Sequence, residues 1–307
     1  MFTKLSSLKN FLARNWWRSY PHAAAINDVC SQWKHDDEVL TEIFFERMRS
    51  STPTKILISI TTHNRSESCL HVINKLSESI RCSEISLSEV IVLVFNDESD
   101  ADYAVTKSEA EAKLKHQLVW LNSCKTQGKR NFWNTHQLSF LAAKYISPKY
   151  YLSLQDDLDF ESNFLENLFD QWEKLSCDKG PKAIYLYSED EIPLADRNGR
   201  WIRFSPEQTP AKNILKIQWL DLQGYFCDLS FLNHLEFKIY PIPASWWRFR
   251  PSRSSGVGRQ ITVRSFGHAN IYQPYPALIT HGHVSSVMNP KARSRRPLDN
   301  RSTSSNS

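Results

Sequence analysis

Four short apolar runs, each followed by a polar break, set the frame of this chain. The first, Lys55-Ile56-Leu57-Ile58-Ser59-Ile60, is rich in β-branched residues and breaks into Thr61-Thr62-His63-Asn64-Arg65. Behind it Cys69, Leu70, Ile73, Leu76 and Ile80 share one helical face. The second run, Val90 to Phe95, ends in Asn96-Asp97-Glu98-Ser99-Asp100 and leads into a helical stretch from about Val105 to Lys115. Gln117 to Leu121 predicts a short third strand. After Gln127-Gly128-Lys129-Arg130-Asn131, a helix carries Phe132, His136, Leu138, Leu141 and Ala142 and stops at Pro148. The fourth run, Tyr150 to Gln155, opens directly onto Asp156, Asp157 and Asp159. Runs apolar at nearly every position are those of strands buried on both faces, and strand alternating with helix predicts an α/β fold with a doubly wound, mostly parallel sheet.

In such sheets a ligand sits in the crevice beyond the carboxyl ends of the strands. Three carboxylates within four positions at a strand end repel one another and need a cation or full solvation. Asp156, Asp157 and Asp159 therefore read either as a divalent-metal site for a phosphorylated ligand or as an acidic loop before the helix that starts near Glu161. Polar breaks after three of the strands converge on one rim, which favours the site.

The flanks are less regular. Residues 1–52 predict a peripheral helical segment, with Leu5, Leu8, Phe11 and Leu12 in one stripe and Leu40, Ile43, Phe44 and Met48 in another. Packing on the main domain is the first expectation for it. Peripheral contact of its basic, aromatic part (Trp16-Trp17-Arg18) with a membrane surface is the second. Ala183 to Tyr187 predicts a strand, followed by Ser188-Glu189-Asp190-Glu191. Residues 291–307 are basic, then Ser-rich, and predict a disordered tail, which leaves 53–290 as the main domain, divided near residue 160.

Composition narrows the class. No run approaches the ~20 apolar residues of a membrane span, and the first residues lack the apolar core of a secretory signal. The six cysteines are scattered with no zinc or redox spacing, which fits a reducing compartment and a cytoplasmic location, with the inner face of a membrane as the variant. Net charge is +5, and no Asp or Glu occurs from Phe237 through Leu298, a stretch with ten Lys and Arg residues. That asks for an anionic partner; nucleic acid is not expected. No glycine-rich phosphate loop is present, which counts against dinucleotide-binding dehydrogenases and P-loop kinases.

Thr61-Thr62-x-Asn64-Arg65, Phe95-Asn96-Asp97, Gly128-x-x-Asn131 and Gln155-Asp156-Asp157 together resemble the glycosyltransferases of GT-A fold, particularly family-2-like members of the nucleotide-diphospho-sugar transferase superfamily. The resemblance covers about 55–160, with a second fragment at 274–286. It implies a nucleotide-diphospho-sugar donor, a UDP-sugar first, a glycan, lipid-linked or protein acceptor, and Mn²⁺ or Mg²⁺. It places Thr61, Thr62, Arg65, Asp97, Lys129, Asn131 and Asp156 at the nucleotide-sugar, and Asp157, with Asp159 and His281, at the metal. Gln155 departs from the commoner all-Asp motif, Ala277 replaces the usual serine of the late element, and His283 is a second histidine there. Ile217 to Phe226 resembles the segment that closes over the donor sugar, where Trp219 and Tyr225 either stack on the sugar or belong to the core.

Transfer by inversion also needs a base near the acceptor hydroxyl. Relatives often take it from a carboxylate after the closing segment, but here no Asp or Glu lies between Glu236 and Asp299. Asp221 is then the first candidate, followed by Glu191, Asp190 and Glu189. Two other functions share the pattern: a nucleotidyltransferase, and a nucleotide- or carbohydrate-binding protein without catalysis.

Overall fold

The computed structural model describes residues 26–48, 53–97, 102–187, 207–211, 213–217, 219–248 and 255–281. Residues 1–25 with Trp16-Trp17, the candidates Glu189, Asp190 and Glu191, His283 and the tail 291–307 all lie outside them. A short helix α1 (Ile26–Cys30), a hairpin of β1 (Trp33–His35) and β2 (Glu38–Val39), and α2 (Glu42–Arg47) come first. The four apolar runs are β3 (Ile56–Thr62), β4 (Val90–Asn96), β5 (Leu118–Ser123) and β6 (Tyr150–Gln155). Helices α3 (Ser66–Cys82), α4 (Ala104–Leu114) and α5 (Gly128–Ile146) join them. There follow β7 (Leu158–Asp159), α6 (Phe164–Lys174), β8 (Lys182–Tyr185), β9 (Glu207–Gln208), β10 (Ile214–Ile217) and β11 (Gly224–Asp228). The last elements are α7 (Leu229–His234), α8 (Ser245–Arg248), α9 (Val257–Ser265), β12 (Asn270–Pro274) and β13 (Thr280–His281).

Eleven strands form one sheet in the order β2-β1-β5-β4-β3-β6-β11-β8-β12-β10-β9. Its centre, β5-β4-β3-β6, is parallel. Every residue of β3 and β4 is buried, which is why these segments read as runs apolar at nearly every position before their polar ends. The chain starts at β3, steps outward through β4 to β5 and returns to add β6 on the other side of β3. The order therefore reverses between β3 and β6, and that switch point is where an α/β sheet opens a crevice. The expected α/β architecture with a parallel centre is present. Beyond it β11 runs antiparallel to both β6 and β8, so the flank is mixed.

The peripheral segment differs from the helical expectation. Residues 33–39 form a hairpin whose first strand pairs antiparallel with β5, making it part of the sheet. The reason is local: Asp36 turns the chain at φ 52°, and Trp33 is buried against Phe95 while its indole N–H reaches Asn134 Oδ1 at 2.6 Å. Helix α5 bears further buried polar groups that fasten the second half. Gln137 accepts from Ile239 N–H at 2.6 Å and donates to Phe237 O at 3.1 Å. Among the described residues no helix is long and apolar enough to cross a membrane.

Candidate active site

A cleft opens at the β3/β6 switch point, lined by Thr61, Thr62, His63 and Arg65 after β3, Phe95 and Asp97 after β4, Gln155, Asp156 and Asp157 after β6, and Gly128, Phe132 and Thr135 on α5. Parallel pairing sets Thr61 beside Gln155 and Thr62 beside Asn96, so the three polar breaks fall side by side. Gly128 holds φ at +55°, a conformation that favours glycine, and lets α5 begin at the cleft wall. Positions 128, 132 and 135 then fall on one helical face.

The centre of the cleft is a buried ion cluster. Arg65 Nη1 lies 3.1 Å from Asp156 Oδ1 and 2.8 Å from Asp157 Oδ2, and all three side chains are at most 9% exposed. Asp156 Oδ2 also accepts from Thr62 Oγ1 at 2.8 Å and His63 N–H at 3.3 Å. Asp156 is nonetheless pushed up to about 6, by burial first and by the neighbouring Asp157 charge, against the pull of Arg65. Asp157 goes the other way: burial opposes its charge, but His281 and Arg65 outweigh burial and hold it below the usual carboxylate range. The Arg65 guanidinium is raised despite its burial, because two carboxylates surround it. The pair thus divides one protonation problem between two unlike oxygens.

His281 reaches the cluster from the far end of the chain. β13 pairs antiparallel with β7, placing His281 opposite Leu158, one residue past Asp157. Its Nδ1 is 3.7 Å from Asp157 Oδ1, an ion-pair distance too long for a hydrogen bond. That oxygen is buried and has no hydrogen-bond partner among the described residues. An orphaned carboxylate oxygen facing an imidazole nitrogen across such a gap fits a shared cation, since two ligands about 2.1–2.3 Å from one ion stand roughly 3–4 Å apart. One carboxylate oxygen and one imidazole nitrogen are donors that Mn²⁺ or Mg²⁺ can take. No group of three or more His, Cys, Asp or Glu able to hold a metal exists among the described residues. A hard cation here would take its remaining ligands from water and phosphate oxygens, as Mg²⁺ commonly does.

The other expected residues divide. Asp159 stands apart from the ion cluster: its carboxylate turns outward to His71 Nε2 at 3.0 Å and is about half exposed, because β7 alternates its side chains and Leu158 takes the core. Asp97 lines the cleft, but its oxygens accept from Gly128 N–H at 2.7 Å, Gln127 N–H at 2.5 Å and Ser123 Oγ at 3.2 Å, fastening the loop before α5. Lys129 and Asn131 sit in the first turn of α5 beside the lining face, half-buried. Burial lowers the Lys129 ammonium. Asp221 does not line the cleft; its Oδ1 accepts from Leu222 N–H at 2.8 Å and packs against Gly258 of α9. Tyr225 is fully buried in the core and cannot stack on a sugar, while Trp219 packs on Val263. Arg264, one of the ten cations of the acid-free stretch, is buried and donates to the carbonyls of Leu235 and Lys238. His63, Phe95, Phe132, Thr135 and Gln155 are lining residues the sequence reading did not single out as ligand contacts. The i, i+4, i+7 spacing from Gly128 was the available signal for Phe132 and Thr135.

No family model matches the sequence, and no curated protein matches it. Among solved structures the chain is similar to residues 1–349 of S. aureus TarS in complex with UDP-GlcNAc, at 13% identity and a TM-score of 0.49, covering 78% of this chain and 61% of that one. It is also similar to the mannosyltransferase PcManGT from Pyrobaculum calidifontis in complex with GDP-Man and Mn²⁺, at 11% identity and a TM-score of 0.43, covering 88% of this chain and 66% of that one. This chain therefore spans less than two thirds of the length of these structures.

Proposed function

We propose that this chain is a cation-dependent glycosyltransferase that moves a sugar from a nucleotide-diphosphate donor, a UDP-sugar first, to a hydroxyl of a glycan, lipid-linked or protein acceptor. The observation that carries this reading is the orphaned Asp157 Oδ1 set against His281 Nδ1 at the switch point of the sheet, next to the Arg65 cluster. Asp157 and His281 would hold Mn²⁺ or Mg²⁺ there. A bound divalent cation supplies Lewis-acid neutralisation of the departing diphosphate. Arg65 compensates the carboxylates and keeps Asp157 ionised. Thr61 and Thr62 present hydroxyls at the strand end, with Thr62 already fixing Asp156. Phe95 and Phe132 give the cleft an apolar wall suited to a base, and Lys129 and Asn131, in the first turn of α5, would meet the nucleotide. Asp97 keeps about one acceptor site after its three donors, so its part in base recognition is joined to holding the loop.

The acceptor's proton is assigned to Asp221 or to Asp190 or Glu191. Separate alanine variants at the three positions identify the base by which one loses transfer. The deciding experiment is a thermal-shift panel of UDP-, GDP-, CMP- and dTDP-sugars with and without Mn²⁺, because a ligand of the native state raises its melting temperature. Release of nucleoside diphosphate with transfer supports the reading. Release of pyrophosphate indicates a nucleotidyltransferase, and binding without turnover a binding protein.

A further inference from the structure

His281 is not held by Asp157 alone. Gln223, one residue before β11, places its Nε2 3.1 Å from His281 Nε2, and its Oε1 accepts from the Tyr185 hydroxyl. Sheet register fixes these partners, since Tyr225 pairs with Tyr185 across β11 and β8. The Tyr187 ring, at 62° to the imidazole, confines the plane of the histidine. An amide whose oxygen takes the tyrosine hydroxyl presents only N–H donors on its other side. The ring nitrogen facing it must then carry a lone pair. In the neutral imidazole the proton consequently resides on Nδ1, the nitrogen 3.7 Å from Asp157 Oδ1.

We propose that Gln223, anchored by Tyr185, is a positioning residue that sets the tautomer of His281 and through it the readiness of the site for a cation. A cation bound through Nδ1 needs the lone pair there. Rotation of the amide by half a turn provides it: Oε1 then accepts from Nε2–H, and the amide nitrogen donates to the tyrosine oxygen. The proton leaves Nδ1 and one arrives at Nε2, so the ring remains neutral and the hydrogen-bond count is unchanged. Two arrangements of equal connectivity make Tyr185-Gln223-His281 a bistable relay. Its consequence for the cation rests on the function proposed above, whereas its tautomer does not.

The test reads the ring directly. Long-range ¹H–¹⁵N spectra of chelator-treated protein, at mildly alkaline pH and with the His281 signals assigned by their loss in His281→Gln, should show the Nδ1–H form in the wild type. Gln223→Glu offers only acceptors and should convert the ring to Nε2–H. Mn²⁺ affinity, read by the paramagnetic resonance of free Mn²⁺, should rise with it by roughly tenfold, the scale on which outer partners tune metal sites. Tyr185→Phe removes the anchor with little change of volume and should give a mixture of tautomers; it serves as the second variant if the glutamate does not fold. An Nε2–H ring in the wild type overturns the proposal. So does an unchanged tautomer in Gln223→Glu, including one with tighter Mn²⁺ binding, which would be the effect of added charge. The expected tautomers in a protein that binds neither Mn²⁺ nor any donor would uphold the relay while removing the glycosyltransferase reading.

Discussion

The two halves of the molecule reach the same cleft by different routes. In the first half, consecutive strand–helix units deliver Thr61, Thr62, Arg65, Asp97 and Asp156 to one rim, because parallel strands joined by helices all end on the same edge. Nothing beyond local order is needed once the strands pair. In the second half the sheet becomes largely antiparallel, and, among the described residues, its one member of the ion cluster, His281, arrives by a two-residue pairing of β13 with β7. A site built this way draws its ionic core from topology and its last ligand from tertiary packing, so the two parts should fail differently when disturbed.

Disturbing the first half should have the largest effect. Asp157→Asn keeps shape but removes the charge facing His281. If that carboxylate holds a cation, transfer should drop by about a thousandfold, the loss of several kcal/mol of charge stabilisation. Steady-state rates with a donor identified by thermal shift check this. Asparagine is a cleaner substitution than alanine, because Asp157 is buried against Arg65 and truncation there would also cost fold stability. Arg65→Met should destabilise the fold by about 3–5 kcal/mol in urea titrations, since it strands two buried carboxylates. Added Mn²⁺ should recover part of that loss, and a midpoint indifferent to Mn²⁺ would show that the cluster does not meet a cation.

The same contrast explains what was legible in the sequence. β3, β4 and β6 announce themselves as nearly continuous apolar runs because burial on both faces admits few polar residues, Ser59 and Ser153 being the mid-strand exceptions, and the polar residues at their ends mark the rim. Gln155-Asp156-Asp157 could therefore be placed without a structure. Trp33 to Val39 could not: a strand of three residues at a sheet edge has too short a period to compete with a neighbouring helical stripe, and its partner β5 lies more than eighty residues away. Asp159 illustrates the reverse error. Sequence proximity grouped it with Asp157, but Asp157 lies in the turn before β7, and within β7 buried Leu158 leaves Asp159 facing outward to His71. Tyr225 and Arg264 were ambiguous for a related reason, since aromatic and cationic side chains serve a core or a ligand equally well until burial is known.

Smaller effects sharpen the comparison. Asp156 is raised in the folded protein, so its protonated form favours folding. That contribution is complete below the ordinary value of 3.8 and is lost as pH rises through about 6. The span is worth about 3 kcal/mol at ~1.4 kcal/mol per unit. Melting temperature in the absence of metal should therefore fall across this window, and Asp156→Asn should flatten the fall. Asp157, held low, acts in the opposite sense only below 3.8. In the second half, Gly224→Ala would set a methyl 2.4 Å from Ile279 Cδ1, two residues before His281. Overpacking of this kind costs about 1–3 kcal/mol. It should also weaken Mn²⁺ binding while leaving the Arg65 cluster intact, because only the tertiary route to the cleft is displaced.

Asp159→Ala should do least, and for that reason it separates the two routes most clearly. The Asp159–His71 pair is about half exposed on both sides, and pairs of that kind contribute between zero and about 1 kcal/mol. Transfer and Mn²⁺ affinity should stay near wild type, and the melting temperature should move by no more than a few degrees. A large loss of Mn²⁺ affinity in this variant would mean that the carboxylate swings from His71 toward Asp157 when a cation arrives. The ligand set would then belong wholly to the acidic segment after β6, His281 would become dispensable, and the first half alone would build the site.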